Sequence, residues 1–99
     1  MTIAKKMNGN TLEIAVEGKL DTLTSPKLAE EIKNGLDGAE CLTWDFRNLE
    51  YISSAGFRVL LVARNMLEDP DKMKVAHASE MVRMAFTLTG QEYLLLDDE

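Results

Sequence analysis

Ninety-nine residues suffice for one hydrophobic core and are too few for two, so the chain reads as a single domain spanning residues 1–99. Apolar residues make up 45% of it, which excludes a disordered chain, and a net charge of −6 without a basic stripe excludes a nucleic-acid binder. The single cysteine, Cys41, permits neither an intrachain disulfide nor a cysteine-based zinc site.

No apolar run approaches the ~20 residues that span a bilayer. The opening Met1-Thr2-Ile3-Ala4-Lys5-Lys6 lacks the uninterrupted apolar stretch of a signal peptide. The expectation is a cytoplasmic protein with no direct membrane insertion.

In chain order, Asn8-Gly9 sits between two short apolar segments and supplies the positive φ of a tight hairpin. Leu12, Ile14 and Val16 then alternate with polar or small residues, the period of a half-buried strand. Residues 18–24 read as a loop. Thr24 or Ser25 caps a first helix, with Pro26 in its first turn and Leu28, Ile32 and Leu36 as its apolar stripe. Gly35 and Gly38 mark its end.

Residues 41–46 form an apolar run suited to a buried central strand, with Cys41 and Trp44 inside. Residues 47–51 read as a loop into a long second helix reaching about Glu68. That helix carries Phe57, Val59, Leu60, Leu61, Val62 and Ala63, so it is expected to be largely buried, and Asp69-Pro70-Asp71 stops it. Residues 72–77 suit another short strand. Ser79 and Glu80 open a third helix that Gly90 closes, and residues 93–96 suit an edge strand before the acidic tail. Met66, Met73, Met81 and Met84 read as core filler. The alternation describes an α/β fold, a mixed sheet opened by an antiparallel hairpin and covered by about three to four helices.

The segment that points to function is Ile52-Ser53-Ser54-Ala55-Gly56, two adjacent hydroxyls where a strand gives way to a helix. One serine suffices as an N-cap, which leaves the second without a structural task. A phosphate there would meet free N–H groups and the positive end of the helix dipole, with Arg58 four residues beyond Ser54. A hydrolase elbow is half present, since Ile52 stands where its first glycine belongs and His77 ends a different strand. The chain is therefore read as no enzyme and as needing no cofactor.

The run Asp45-Phe46-Arg47-Asn48-Leu49-Glu50-Tyr51-Ile52-Ser53-Ser54-Ala55-Gly56 resembles the signature of the STAS domain, shared by anti-sigma factor antagonists and sulfate transporters. Gly18-Lys19-Leu20-Asp21 is similar to the family's element after its second strand, and Phe86-Thr87-Leu88-Thr89-Gly90 to the segment closing its penultimate helix. Without a transmembrane region, the stand-alone antagonist is the nearer likeness. The resemblance implies a partner switch. The unphosphorylated protein binds an anti-sigma factor serine kinase and frees the sigma factor; phosphorylation of Ser54 ends binding, and a serine phosphatase restores it. It further implies a docking surface of Asp21, Thr22, Ser53, Ser54, Gly56 and Arg58. Many members carry Asp just before the acceptor, where this chain has Ser53. The alternative is a STAS subunit or adaptor of a transport ATPase or stress-signalling complex that uses the same surface without phosphorylation.

Overall fold

A computed structural model describes residues 1–95 of the chain. Strands β1 (Thr2–Asn8) and β2 (Thr11–Leu20) form the expected antiparallel hairpin, with Asn8 opposite Thr11. The turn is thus Gly9-Asn10, one residue later than the sequence reading put it. Gly9 holds φ at 63°, as a hairpin turn with glycine at its first central position requires.

Strand β2 is ten residues long and serves two further partners. Its residues 11–15 pair in parallel with β3 (Cys41–Asp45), and its residues 18–20 with β4 (Leu49–Ile52), after a register shift between Gly18 and Lys19. Strand β5 (Met73–Ala76) pairs with β3, which gives a five-stranded mixed sheet in the order β1-β2-β3-β5 with β4 on the end of β2. The loop expected over residues 47–51 contains β4 instead. Its burial pattern has two exposed residues between buried Leu49 and Ile52, so it lacks the alternation that announces a strand.

Three α-helices alternate with the strands: α1 (Ser25–Ile32) after β2, α2 (Ser54–Met66) after β4 and α3 (Glu80–Leu88) after β5. Single 3-10 turns occupy Pro70–Lys72 and Glu92–Leu94. Helix α1 is shorter than its apolar stripe. The chain leaves it after Ile32, and Leu36 returns to the core from a turn in which Gly35, Asp37 and Gly38 all take positive φ. The edge strand expected over residues 93–96 is reduced to one parallel bridge, Leu95 to Val75, because the preceding residues close a 3-10 turn through Leu94 N–H to Gln91 O and Leu95 N–H to Glu92 O. Leu96 and the acidic tail Asp97-Asp98-Glu99 lie outside the described residues.

Side chains at alternate positions of β2 and β3 share one face of the sheet, and there Leu12, Ile14, Val16, Leu42 and Trp44 are buried. Leu28, Leu60, Val82 and Phe86 from the helices complete the core. Phe57 and Phe86 meet edge to face at 4.7 Å, which joins α2 to α3 with ~0.5–1.5 kcal/mol beyond area burial. Cys41 lies in the opposite register and is only half-buried. Of the four methionines expected in the core, Met73 is buried, whereas Met66, Met81 and Met84 are exposed. Helix α3 buries Val82 and Phe86 at i, i+4, and Met81 and Met84, at i, i+3, fall together on the face turned away from that stripe. Helix α2 likewise buries Phe57, Val59, Leu60 and Ala63 but leaves Val62 55% exposed, so it is less enclosed than its composition implies.

Candidate functional site

Strands β2 and β4 run parallel and end together. Leu20 pairs with Ile52, and the Ser53 N–H donates to Leu20 O at 2.9 Å. The loop after Leu20 and the first turn of α2 therefore leave the sheet side by side, at the carboxyl ends of strands where α/β folds usually meet their ligands and partners. This pairing brings Asp21 and Thr22 beside Ser53 and Ser54, and it depends on the strand that the sequence pattern concealed.

The two serines hold different posts. Ser53 is extended (φ −101°, ψ 175°) and is the N-cap of α2, its Oγ accepting the Gly56 N–H at 3.5 Å and its carbonyl the Phe57 N–H at 3.0 Å. Ser54 is the first helical residue, exposed, and its hydroxyl makes no hydrogen bond among the described residues. The first turn of α2 contains no acidic residue. An anionic group on Ser54 Oγ would stand at the positive end of the helix, next to N–H groups that helix geometry leaves unpaired.

Gly56 fixes how closely this turn approaches the sheet. A Cβ at this position would lie 2.8 Å from Leu20 Cγ, 2.9 Å from Ile52 Cγ1 and 3.0 Å from Leu20 O, all closer than normal packing tolerates. The absence of a side chain lets α2 start directly against the paired ends of β2 and β4.

Asp21 spends its carboxylate inside its own loop. Its Oδ1 accepts the Leu23 N–H at 3.0 Å and the Thr24 N–H at 3.1 Å, while its backbone N–H donates to Thr24 Oγ1 at 2.9 Å. Thr24 occupies the N-cap position of α1 without capping through its side chain; its Oγ1 bonds Lys19 O at 2.7 Å. The Ser25 hydroxyl donates to Asp21 O. The Thr24 N–H is the main reason the Asp21 carboxyl sits below its ordinary value of 3.8; the slight burial opposes this, and the Thr24 hydroxyl, the Leu23 N–H and nearby Lys19 add to it. The ordered loop presents Thr22 and, beyond it, Leu23, which is 89% exposed. Leu23 gives no signal in the sequence, since a single loop leucine has no periodicity to mark which way it faces.

Arg58 lies one turn beyond Ser54 on the exposed side of α2, and no carboxylate among the described residues ion-pairs with it. Among the described residues no group of His, Cys, Asp and Glu could hold a metal ion, and no helix is long and apolar enough to cross a membrane. The arrangement offers an accessible hydroxyl on a rigid turn, flanked by an ordered loop with an apolar tip.

Residues 2–95 match the STAS domain family. The chain belongs to this family. Its STAS fold is similar to that of the anti-sigma factor antagonist SpoIIAA in its unphosphorylated form, with a TM-score of 0.83 at 20% identity over 96% of this chain and 86% of that one. The Bacillus cell fate determinant SpoIIAA in its phosphorylated form gives 0.73 at 19% identity, over 96% and 89% of the two chains. An anti-sigma factor antagonist from Mycobacterium paratuberculosis gives 0.84 at 22% identity, over 97% and 85%. At these identities the likeness is one of fold. Among curated proteins no sequence matches.

Proposed function

We propose that this STAS domain is an anti-sigma factor antagonist in a partner-switching system, a single non-catalytic domain acting in the cytoplasm. With Ser54 unmodified it docks to an anti-sigma factor serine kinase and so frees the sigma factor. The kinase moves the γ-phosphoryl group of ATP to Ser54 Oγ, the P–O bond to ADP breaking as the hydroxyl gives up its proton. The phosphorylated protein no longer docks, and a serine phosphatase hydrolyses the ester to restore the hydroxyl.

The observation that carries this reading is the division of labour between the serines: Ser53 caps the helix, and Ser54 stands exposed and unengaged beside it. It agrees with the similar structures, which include SpoIIAA in an unphosphorylated and in a phosphorylated form.

The physics favours a switch of binding over a switch of fold. Phosphorylation adds about −1.5 to −2 charges. At the start of α2 that charge is favourable by ~0.3–2 kcal/mol, so the domain stays folded. In a docked interface the same group must be desolvated, and a loss of ~3 kcal/mol weakens binding more than a hundredfold. Incubation with ATP and each serine-kinase anti-sigma factor of the same genome, followed by mapping of the phosphate, tests the proposal. Phosphate on Ser54 with loss of binding supports it. Binding without modification would favour the unphosphorylated subunit of a larger assembly.

A further inference from the structure

The stripe Ser54, Arg58, Val62 and Met66 runs along the open side of α2 at four-residue spacing. Between it and α1 lies an apolar groove of about 510 Å³, floored by Ala29, Ile32, Val59 and Val62 and ending at Met66. Lys33 and Arg58 stand on its rim. Lys33 pairs with Glu30 at 2.7 Å, and among the described residues no carboxylate ion-pairs with Arg58. At Met66 the groove meets a second hollow of about 640 Å³, whose charged lining is Glu40, Glu68 and Asp69 against Lys72 alone. The groove thus has an apolar floor, the Arg58 cation near Ser54 and a surplus of carboxylates at the far end. From Arg58 to Met66 it follows about 12 Å of helix axis, two turns.

We propose that this groove receives an amphipathic helix of the kinase partner, its apolar face on Val59, Val62 and Met66. An acidic side chain of that helix meets Arg58, and a basic one meets Glu68 and Asp69. The inference rests on the proposed function, because it extends the docking surface from Ser54 along α2. It adds the shape, polarity and direction of the partner's element.

The test uses the purified kinase that phosphorylates Ser54. Affinity is measured by calorimetry for the wild type, Val62→Asp and Arg58→Glu, and a photoreactive group introduced at Val62 is crosslinked within the complex. Both substitutions are at exposed positions, so the melting temperature reports whether the fold is intact. Each is expected to weaken binding about tenfold or more, and the crosslink should fall on an amphipathic helix carrying an acid at one end. Wild-type affinity in both folded variants overturns the groove and leaves the Ser54 switch standing. A crosslink to a second copy of this chain, or to a non-helical segment of the kinase, overturns the assigned occupant. A wild-type protein that no such kinase binds overturns the switch and the groove together.

Discussion

Gly56→Ala puts opposed effects in direct competition. Alanine is the better helix former, and at an unstrained helical position the exchange stabilises by up to about 1 kcal/mol. Here the new methyl would lie 2.8 Å from Leu20 Cγ and 2.9 Å from Ile52 Cγ1, and 3.0 Å from a backbone oxygen. Leu20 and Ile52 are both buried, and their Cγ atoms sit close to the main chain, so neither can swing aside as a long flexible side chain would. Overpacking of this kind costs ~1–3 kcal/mol. The packing cost exceeds the propensity gain, and the variant should lose about 1–2 kcal/mol net in urea unfolding, which is roughly 4–15 °C in Tm for a domain of this size. Relief of the clash would lift the start of α2 off the ends of β2 and β4, so partner binding should fall as well. A Gly56→Ala protein more stable than wild type would refute the close approach on which the geometry of the site depends.

The serines separate by stability. Ser53→Ala should cost ~0.5–1 kcal/mol through the lost cap, at the lower end because the Oγ to Gly56 bond is long, whereas Ser54→Ala should stay within about ±0.5 kcal/mol; thermal melts of both variants check this, and the opposite ranking would exchange their roles. The Asp21 carboxyl is depressed in the folded protein, so what its ionised form contributes is present above the unfolded value of 3.8 and is lost as the pH falls through the lower folded value. The protection factors of the Leu23 and Thr24 amides, exchange rates taken relative to the unstructured chain at the same pH, should therefore fall in acid, and Asp21→Ala should open the loop at neutral pH, while Asp21→Asn keeps an oxygen for both N–H groups. In a double-mutant cycle, the drop in partner affinity caused by Ser54→Asp should shrink when Arg58 is already replaced by Ala; strict additivity would separate the two residues.

Most elements were legible because their signals are local. The period-2 run of Leu12, Ile14 and Val16, the Ser79 cap and the hairpin glycine each determine their surroundings without distant partners. Strand β4 escaped because four residues with two exposed in the middle carry no period, and its existence depends on β2 being long enough to pair twice. The candidate site could be picked out as residues in the sequence but not as an arrangement. The paired serines were plain, yet which one caps the helix follows from backbone angles at Ser53 that no composition reveals. Asp21 was expected on the docking surface, and its carboxylate proves to be engaged in ordering the loop that carries Leu23. The exposure of Val62 was hidden by the apolar run around it, since a helix of that composition reads as enclosed until the gap beside α1 is seen.

The central claim is that Ser54 is the group whose chemical state sets docking. The most direct measurement is the affinity of the cognate anti-sigma kinase for the protein before and after stoichiometric phosphorylation, with the phosphate located by mass spectrometry and the fold followed by melting. The account predicts one phosphate on Ser54, an unchanged or slightly raised Tm, and binding weakened more than about a hundredfold. Phosphate on Ser54 with binding intact, or binding lost because the domain has unfolded, would contradict it.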